Sequence, residues 1–486
     1  MEKNISFSDI RVTVLKKCCK KDELEKMTTT YKHFDKPLSN NIKRKIIKEI
    51  LRDNNYVARY RHLPFIEFPI VFQKYSRKRK RYEKKRIISL PSHHDAFLYK
   101  VYSKLLSECY EIYLRQKGLS EVPLAYRKGH SNITGAKEAI DKMSTQDSWV
   151  IKGDFSHFFD NLNHDVLLKN VKKVIRNING GEFSNDWLRL LRNLMNYRYI
   201  NLEDISKEIT SNHNRISYIN SLSELDSLLK NDKLKVSKKH KVGIPQGTAL
   251  SAVLANIYMI EFDEWVRDYL RQFDGFYRRY SDDFIVIIPK QQIETGEIGE
   301  VEEKIIDKSR DKLSLIIKKE KTHLYYYSKQ DKKVYLYSSD KRLHESELNY
   351  LGFSFNGMEV NVRPKTIYKF RYRGKKAINK LVENISIYRQ IQNSTYNMDN
   401  DKLNGWQKYV KESAEKGYAI PKRRQYTKMY LISHPVKRKN FLSYAFNAEK
   451  IFSENSGNYK VNILKPALRQ VGYLQRNFNK ERVPIK

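Results

Sequence analysis

Apolar and polar positions divide the chain into four zones. Up to about residue 60 the spacing predicts helices: Ile42, Ile46, Ile47, Ile50 and Leu51 fall on one face, with Lys43, Arg44, Lys45 and Lys48 on the other. Residues 61 to about 140 read as short strands mixed with a helix, and carry the basic run "KYSRKRKRYEKKR". The strongest strand signals, "SWVIKGDF", "GFYRRY", "FIVIIP" and "NYLGFSF", all lie between 141 and 360. A polar stretch, 203–239, interrupts that zone and reads as an insertion with helical pieces. From about 365 the pattern is helical again, with Ile378, Leu381, Val382, Ile385 and Tyr388 on one face and Lys375, Lys376 and Lys380 off it. No internal repeat of useful length is present.

Composition narrows the class. At 486 residues the chain exceeds what one hydrophobic core usually serves, so several domains are expected. Lys and Arg number 94 against 56 Asp and Glu, a net charge of +38 spread along most of the chain, which calls for a polyanionic partner. The 34 tyrosines suit stacking on unpaired bases as well as packing. Cys18, Cys19 and Cys109 have neither metal-ligand nor disulfide-framework spacing, which points to a reducing compartment. With no signal-peptide pattern and no long apolar run, a cytoplasmic protein without a membrane partner is expected.

Candidate chemistry begins at "YSDDF", where Asp282 and Asp283 sit between two strand-like runs, at the tip of a tight hairpin on a buried sheet. Two anions so close need a cation. Asp154 ends the apolar strand of "WVIKGDF", and if that strand neighbours the hairpin, three carboxylates converge as hard oxygen ligands suited to Mg²⁺. Such a cage supports two-metal phosphoryl transfer. Between these segments, "GIPQGTALSAVLANIYM" places a Gly-Pro loop before an apolar helix.

In this order the segments resemble those of bacterial reverse transcriptases, the branch that includes group II intron, retron and defence-associated enzymes. The resemblance covers roughly residues 60–375. "KKRIISLPSHHDAFLYKVYSKLL" and "AYRKGHSNITGAKEAI" are similar to the finger motifs, "KGDFSHFFDNLNH" to the first palm motif, "GIPQGTALSAVLANIYM" to the nucleotide loop and "YSDDF" to the catalytic hairpin. "LSLIIKKEKTHL" and "NYLGFSF" resemble the last palm motif and the primer grip. The resemblance implies an α+β right-hand polymerase, with fingers, a palm bearing an antiparallel sheet, and a thumb. It divides the chain into an N-terminal helical extension (1–60), fingers and palm (61–365, with the 203–239 insertion), and a thumb with a basic C-terminal RNA-binding region (366–486).

Roles follow residue by residue. Asp154, Asp282 and Asp283 are implied ligands of two Mg²⁺ ions, with Mn²⁺ as a substitute, and Lys321 is implied to act on the leaving pyrophosphate. Phe155, Phe159 and Gln246 line the nucleotide, Phe159 as the gate against a 2′-hydroxyl, while Arg86 and Arg127 hold the triphosphate. The implied activity is RNA-directed DNA synthesis from dNTPs, with an RNA template or noncoding RNA and a DNA product as partners, in assemblies that include homo-oligomers. Thr248 and Ala252 depart from intron-type enzymes, which usually have Gly and Pro there, and no nuclease signature is found. That profile is most like a defence-associated, antiphage enzyme; a group II intron-type maturase, and a protein-primed or untemplated polymerase, are the alternatives. Tyr325 to Tyr327 read as a surface stretch relevant to priming. In the tail, Lys437, Arg438 and Lys439 are interleaved with Tyr426, Tyr430, Phe441, Tyr444 and Phe446, a mixture suited either to RNA or to a helical bundle.

Overall fold

The computed structural model describes residues 5–76, 80–209, 216–317, 319–338, 342–393, 395, 399, 402–436, 440–455 and 457–481. The chain forms two compact units, each assembled from separated segments: 1–130, 152–286 and 293–322 in the first, 131–151, 287–292 and 323–486 in the second.

The first unit holds β1 (Phe65–Ser76), β2 (Lys80–Leu90), the Asp154 end of β3 (Ser148–Asp154), β4 (Tyr199–Asn201), β5 (Phe276–Tyr280) and the start of β6 (Asp283–Pro289). β1 and β2 pair antiparallel from Ile66↔Leu90 to Ser76↔Lys80, a far longer ribbon than the short strands expected. Cross-strand hydrogen bonds pair the facing backbone groups of the two strands, and beyond the three residues covered by β4 the outward-facing groups are left to solvent, as are exposed Lys84, Lys85 and Arg86. β4 joins β1 in parallel, Phe65 opposite Tyr199. The 203–239 stretch has a core of its own making: Ile205, Ile219, Leu225 and Leu234 bury against Phe34, Leu63, Ile66 and Ile200.

The helix Asn40–Arg52 starts at a Ser39 cap, but its faces differ from the simple pattern. Lys43 is only 2% exposed, its Nζ donating to the Leu24 carbonyl at 2.9 Å and the Thr28 hydroxyl at 2.6 Å, whereas Ile42 is 49% exposed. A helix end with unsatisfied carbonyls can hold an ammonium that a polarity pattern would place outside. Behind β2, the helix His93–Gln116 is capped by the Ser92 hydroxyl, which accepts from the Asp95 N–H at 3.0 Å.

The second unit contains the remainder of β3 and β6, then β7 (His323–Ser328), β8 (Lys333–Tyr337), β9 (Leu343–Ser346), β10 (Leu348–Tyr350), β11 (Phe353–Phe355), β12 (Glu359–Val362) and β13 (Lys460–Asn462). β7, β8 and β9 follow as an antiparallel meander, and β13 pairs parallel to β12 at the end of the β10-β11-β12 sheet. Tyr325 and Tyr327 are buried and the Tyr326 hydroxyl donates to Asp147 at 2.9 Å, so this stretch is not a surface. Burial holds all three phenols above the ordinary tyrosine range, the wrong direction for a nucleophile.

The long helix Pro364–Gln392 buries Ile378, Leu381 and Ile385. At Gly374 an added Cβ would stand 2.4 Å from Leu474, so only glycine lets the helix Leu464–Glu481 approach so closely. Several tail aromatics pack: Phe441 lies 4.6 Å and Tyr430 5.5 Å from Phe370, and Tyr444 stacks on Phe353 at 6.1 Å between centroids. The bundle alternative therefore accounts for those rings. Lys437, Arg438 and Lys439 lie outside the described residues. Among the described residues no helix is long and apolar enough to cross a membrane.

Candidate active site

The site is built within the first unit where three short segments meet. The Phe155 N–H donates to the Asp282 carbonyl at 3.1 Å, and the Ser156 N–H to the Ile316 carbonyl at 3.2 Å, with Phe155 bridged to Ile317. These bonds set the end of β3 between the hairpin tip and the segment leading to Lys321. Gly153 makes the approach possible: a Cβ there would stand 2.3 Å from the Phe284 ring.

Asp154 and Asp282 are brought into direct contact. Burial raises the Asp282 pKa, the Asp154 carboxylate raises it further, and a backbone N–H and the Ser281 hydroxyl oppose the shift. The Lys321 Nζ lies 2.5 Å from Asp154 Oδ2, supplying positive charge to the crowded pair. Asp283 instead opens β6; consecutive residues entering a strand project to opposite faces, and among the described residues no group of three His, Cys, Asp or Glu side chains forms a metal-holding cluster. The expected three-carboxylate cage is thus a pair. Two hard oxygen ligands, crowded enough to raise one pKa and already attracting an ammonium, fit a divalent cation, which Asp154 and Asp282 would hold.

Other expected residues fall in distinct places. The Gln246 loop docks beside Phe159: the Ile244 N–H donates to the Phe159 carbonyl at 2.9 Å, the Gly243 N–H to the Leu162 carbonyl at 2.8 Å, and His164 Nε2 lies 2.8 Å from the Gly243 carbonyl. Gly243 has φ +78° and its Cα hydrogen faces the Asp160 backbone, a position no side chain could share. Thr248 caps the next helix and the Ser251 hydroxyl donates to the Pro245 carbonyl at 2.7 Å, so the loop is tied at both ends. Gln246 and Phe159 are half-buried. Phe155 is a correction: its ring is 1% exposed among Phe158, Phe262 and Phe284, leaving only backbone for a nucleotide to meet.

Arg127 is a second correction. Its guanidinium forks onto Glu111 at 2.8 and 2.7 Å and also donates to the carbonyls of Ser120 and Pro123, so its donors serve the scaffold rather than a triphosphate. Arg86 is exposed on β2 opposite Ile70.

The structure adds residues that the motifs did not single out. Arg279, fully buried, forks onto Asp263 through Nε at 2.9 Å and Nη2 at 2.7 Å, while Nη1 reaches Asn256 Oδ1 at 3.3 Å and the Ser281 carbonyl at 3.0 Å. Ser281, with φ +60°, is the turn residue that presents Asp282. On the outer side the Val122–Leu124 segment bonds β5 at Arg279 in both directions, Asn256 holds the Ala125 carbonyl at 2.7 Å, and the Tyr126 hydroxyl lies 3.3 Å from Ser281 Oγ. A sequence signal for Arg279 existed: in "FYRRY" it alternates in phase with buried Tyr277, not with solvent.

This chain belongs to the reverse transcriptase (RNA-dependent DNA polymerase) family, whose model matches residues 77–355, more than half of the chain. Its α+β architecture, with an antiparallel sheet carrying the carboxylates, is that of a right-hand polymerase. Among curated proteins it is similar to protein YkfC of Escherichia coli strain K12, 25% identical over 29% of this chain and 26% of the relative. It is also similar to the COX1/OXI3 intron 1 protein of Saccharomyces cerevisiae, 23% identical over 32% of this chain and 14% of that protein. The matched region therefore spans about a quarter or less of either relative's length. Solved structures with similarity include the apo telomerase of Candida tropicalis truncated at its C-terminal domain, at TM-score 0.39 and 12% identity over 67% of this chain and 61% of that one. The telomerase of Candida albicans with a fragment of telomeric RNA matches at TM-score 0.37 and 12% identity, over 92% of this chain and 67% of that one.

Proposed function

We propose that the chain is an RNA-directed DNA polymerase that extends a primer with dNTPs, with Asp154 and Asp282 holding Mg²⁺ or Mn²⁺. The observation that carries this reading is the contact of these two carboxylates at adjacent strand ends, with Lys321 against Asp154. Bound divalent ions would supply Lewis-acid activation of a 3′-hydroxyl and charge stabilisation at the leaving pyrophosphate. The chain's own part is positioning. β3 and the hairpin hold the carboxylates, the Gln246 loop fixed to Phe159 shapes the nucleotide side, and Lys321 offers a proton or a charge to the departing phosphate.

The +38 charge supports an RNA template as partner, and a noncoding RNA with an antiphage role is the finer reading, supported by Thr248 and Ala252 in the nucleotide loop. Homo-oligomers with RNA and a cytoplasmic setting belong to the same proposal. The intron-type maturase is the second reading, favoured by similarity to an intron protein. Asp282→Asn keeps the shape and removes one charge, so dNTP incorporation on an RNA template should fall by orders of magnitude with RNA affinity little changed. Substantial synthesis by that variant would refute the assignment.

A further inference from the structure

A cavity of about 360 Å³ opens in the first unit, and neither Asp154 nor Asp282 lines it: its walls come from the segment before β1, the helix Asn185–Met195 and its Asn196 cap, the residue preceding β4, the helix Leu222–Lys230 at Leu229, and the stretch after that helix at Val236 and Lys239. Arg189 and Arg192 reach it from one face of their helix, three residues apart. Arg198 and Lys239 join from two further segments, held together because Arg198 Nε donates to the Ser237 carbonyl at 2.9 Å. Among the described residues no carboxylate pairs with Arg189, Arg192 or Lys239. The nearby Asp226 is committed to Arg61 through two bonds, at 2.5 and 3.1 Å.

Four exposed cations rim one concavity without an acid bonded to them among the described residues, which leaves it a positive field open to an anion. The rest of the lining is suited to more than an ion. Leu229 and Val236 give an apolar wall, and His62 stands at the side with Nδ1 fixed on Asp95 Oδ1 at 2.6 Å. His62 is 3% exposed, and its Nε2 is buried without a hydrogen-bond partner among the described residues. The volume is at the lower end of small-molecule pockets and matches a single nucleotide better than a bare phosphate. Arginine forks favour phosphate oxygens, and apolar walls accept a sugar or base.

We propose that this cavity, lined by neither member of the carboxylate pair, is a nucleotide-phosphate site that takes either one phosphodiester unit of an RNA strand or a free nucleotide. The cations hold the phosphate, and Leu229 and Val236 receive the sugar and base. The site does not depend on the polymerase reading, because its readout is binding.

The test uses the full chain with divalent ions chelated, which silences binding through the carboxylate pair. Fluorescence anisotropy across a salt series would follow a short single-stranded RNA, and in a separate arm a labelled ADP, for the parent chain and for Arg189→Gln with Arg192→Gln. If a strand phosphate is the ligand, RNA affinity falls and the slope of log affinity against log salt shrinks by about 1.4, two contacts at roughly 0.7 per single-strand phosphate. If a free nucleotide is the ligand, saturable ADP binding is lost while the RNA slope holds. Lys239→Glu, on a different segment, must reproduce whichever effect is seen. RNA slope and ADP binding that both match the parent in the two variants would overturn the proposal.

Discussion

Replacing Arg279 by Met tests how the hairpin that carries Asp282 is held. Arg279 is 0% and Asp263 1% exposed at the side chain, and the pair is joined by two short charge-assisted bonds. Removing the cation leaves Asp263 buried with, among the described residues, the Tyr277 hydroxyl at 2.8 Å as its remaining side-chain donor. Leaving one member of such a pair uncompensated costs about 3–5 kcal/mol. In a large unit this corresponds to a fall of about 6–10 °C in melting temperature, at roughly 2 °C per kcal/mol. Arg279→Met with Asp263→Leu removes both charges and should recover most of that loss, since a packed apolar pair can replace a buried ion pair at little net cost. Nucleotide addition should stay slow in the double variant, because the Ser281 carbonyl still lacks the Arg279 Nη1 donor that shapes the turn. Thermal denaturation and primer extension on the same four proteins decide it. A single variant melting within a degree of the parent, or a double variant whose loss equals the sum of the two singles, would refute the reasoning.

Two further outcomes are expected. Phe159→Ala opens space beside the docked Gln246 loop, so the preference for deoxynucleotides over ribonucleotides should drop by about tenfold or more, measured by competitive incorporation; a proportional loss with both sugars would mark Phe159 as packing alone. Asn477 beside Tyr473, together with the positive charge of Arg371 and Lys375 over its ring at 3.9 and 5.8 Å from the centroid, lowers the phenol to about 7, so its phenolate should form near neutral pH, as followed by ultraviolet absorbance. Because the folded value lies below the ordinary one, any stability linked to it is present at high pH and lost as pH falls through about 7. Tyr473→Phe should erase that titration and Arg371→Gln should move it upward; an unchanged curve in both would disprove the assignment.

Much of the site was legible in the chain because its signals are local. A strand of Trp149, Val150 and Ile151 ending in Asp154, and a hairpin whose flanks are continuously apolar, can be read from alternation and turn chemistry without knowing what lies opposite. The helix Pro364–Gln392 likewise buries the face its spacing predicts. What the chain alone determined, then, was the strand and hairpin around Asp154 and Asp282, the helical face of Pro364–Gln392 and the charge that asks for a polyanion.

The tertiary structure decided which polar groups spend their charge on each other. Arg127 was expected at a triphosphate but is consumed by Glu111, Lys43 was expected in water but satisfies carbonyls and a hydroxyl, and Phe155 turns into the core. Arg279, which no motif marked, became the brace of the turn that presents Asp282, through partners 16 and 23 residues away. These outcomes depend on contacts between segments distant in the chain, and the free energy of a buried charge is set by the partner and dielectric around it, neither of which a local pattern contains. For the same reason two compact units, each built from separated segments, cannot be expressed as consecutive boundaries along the chain.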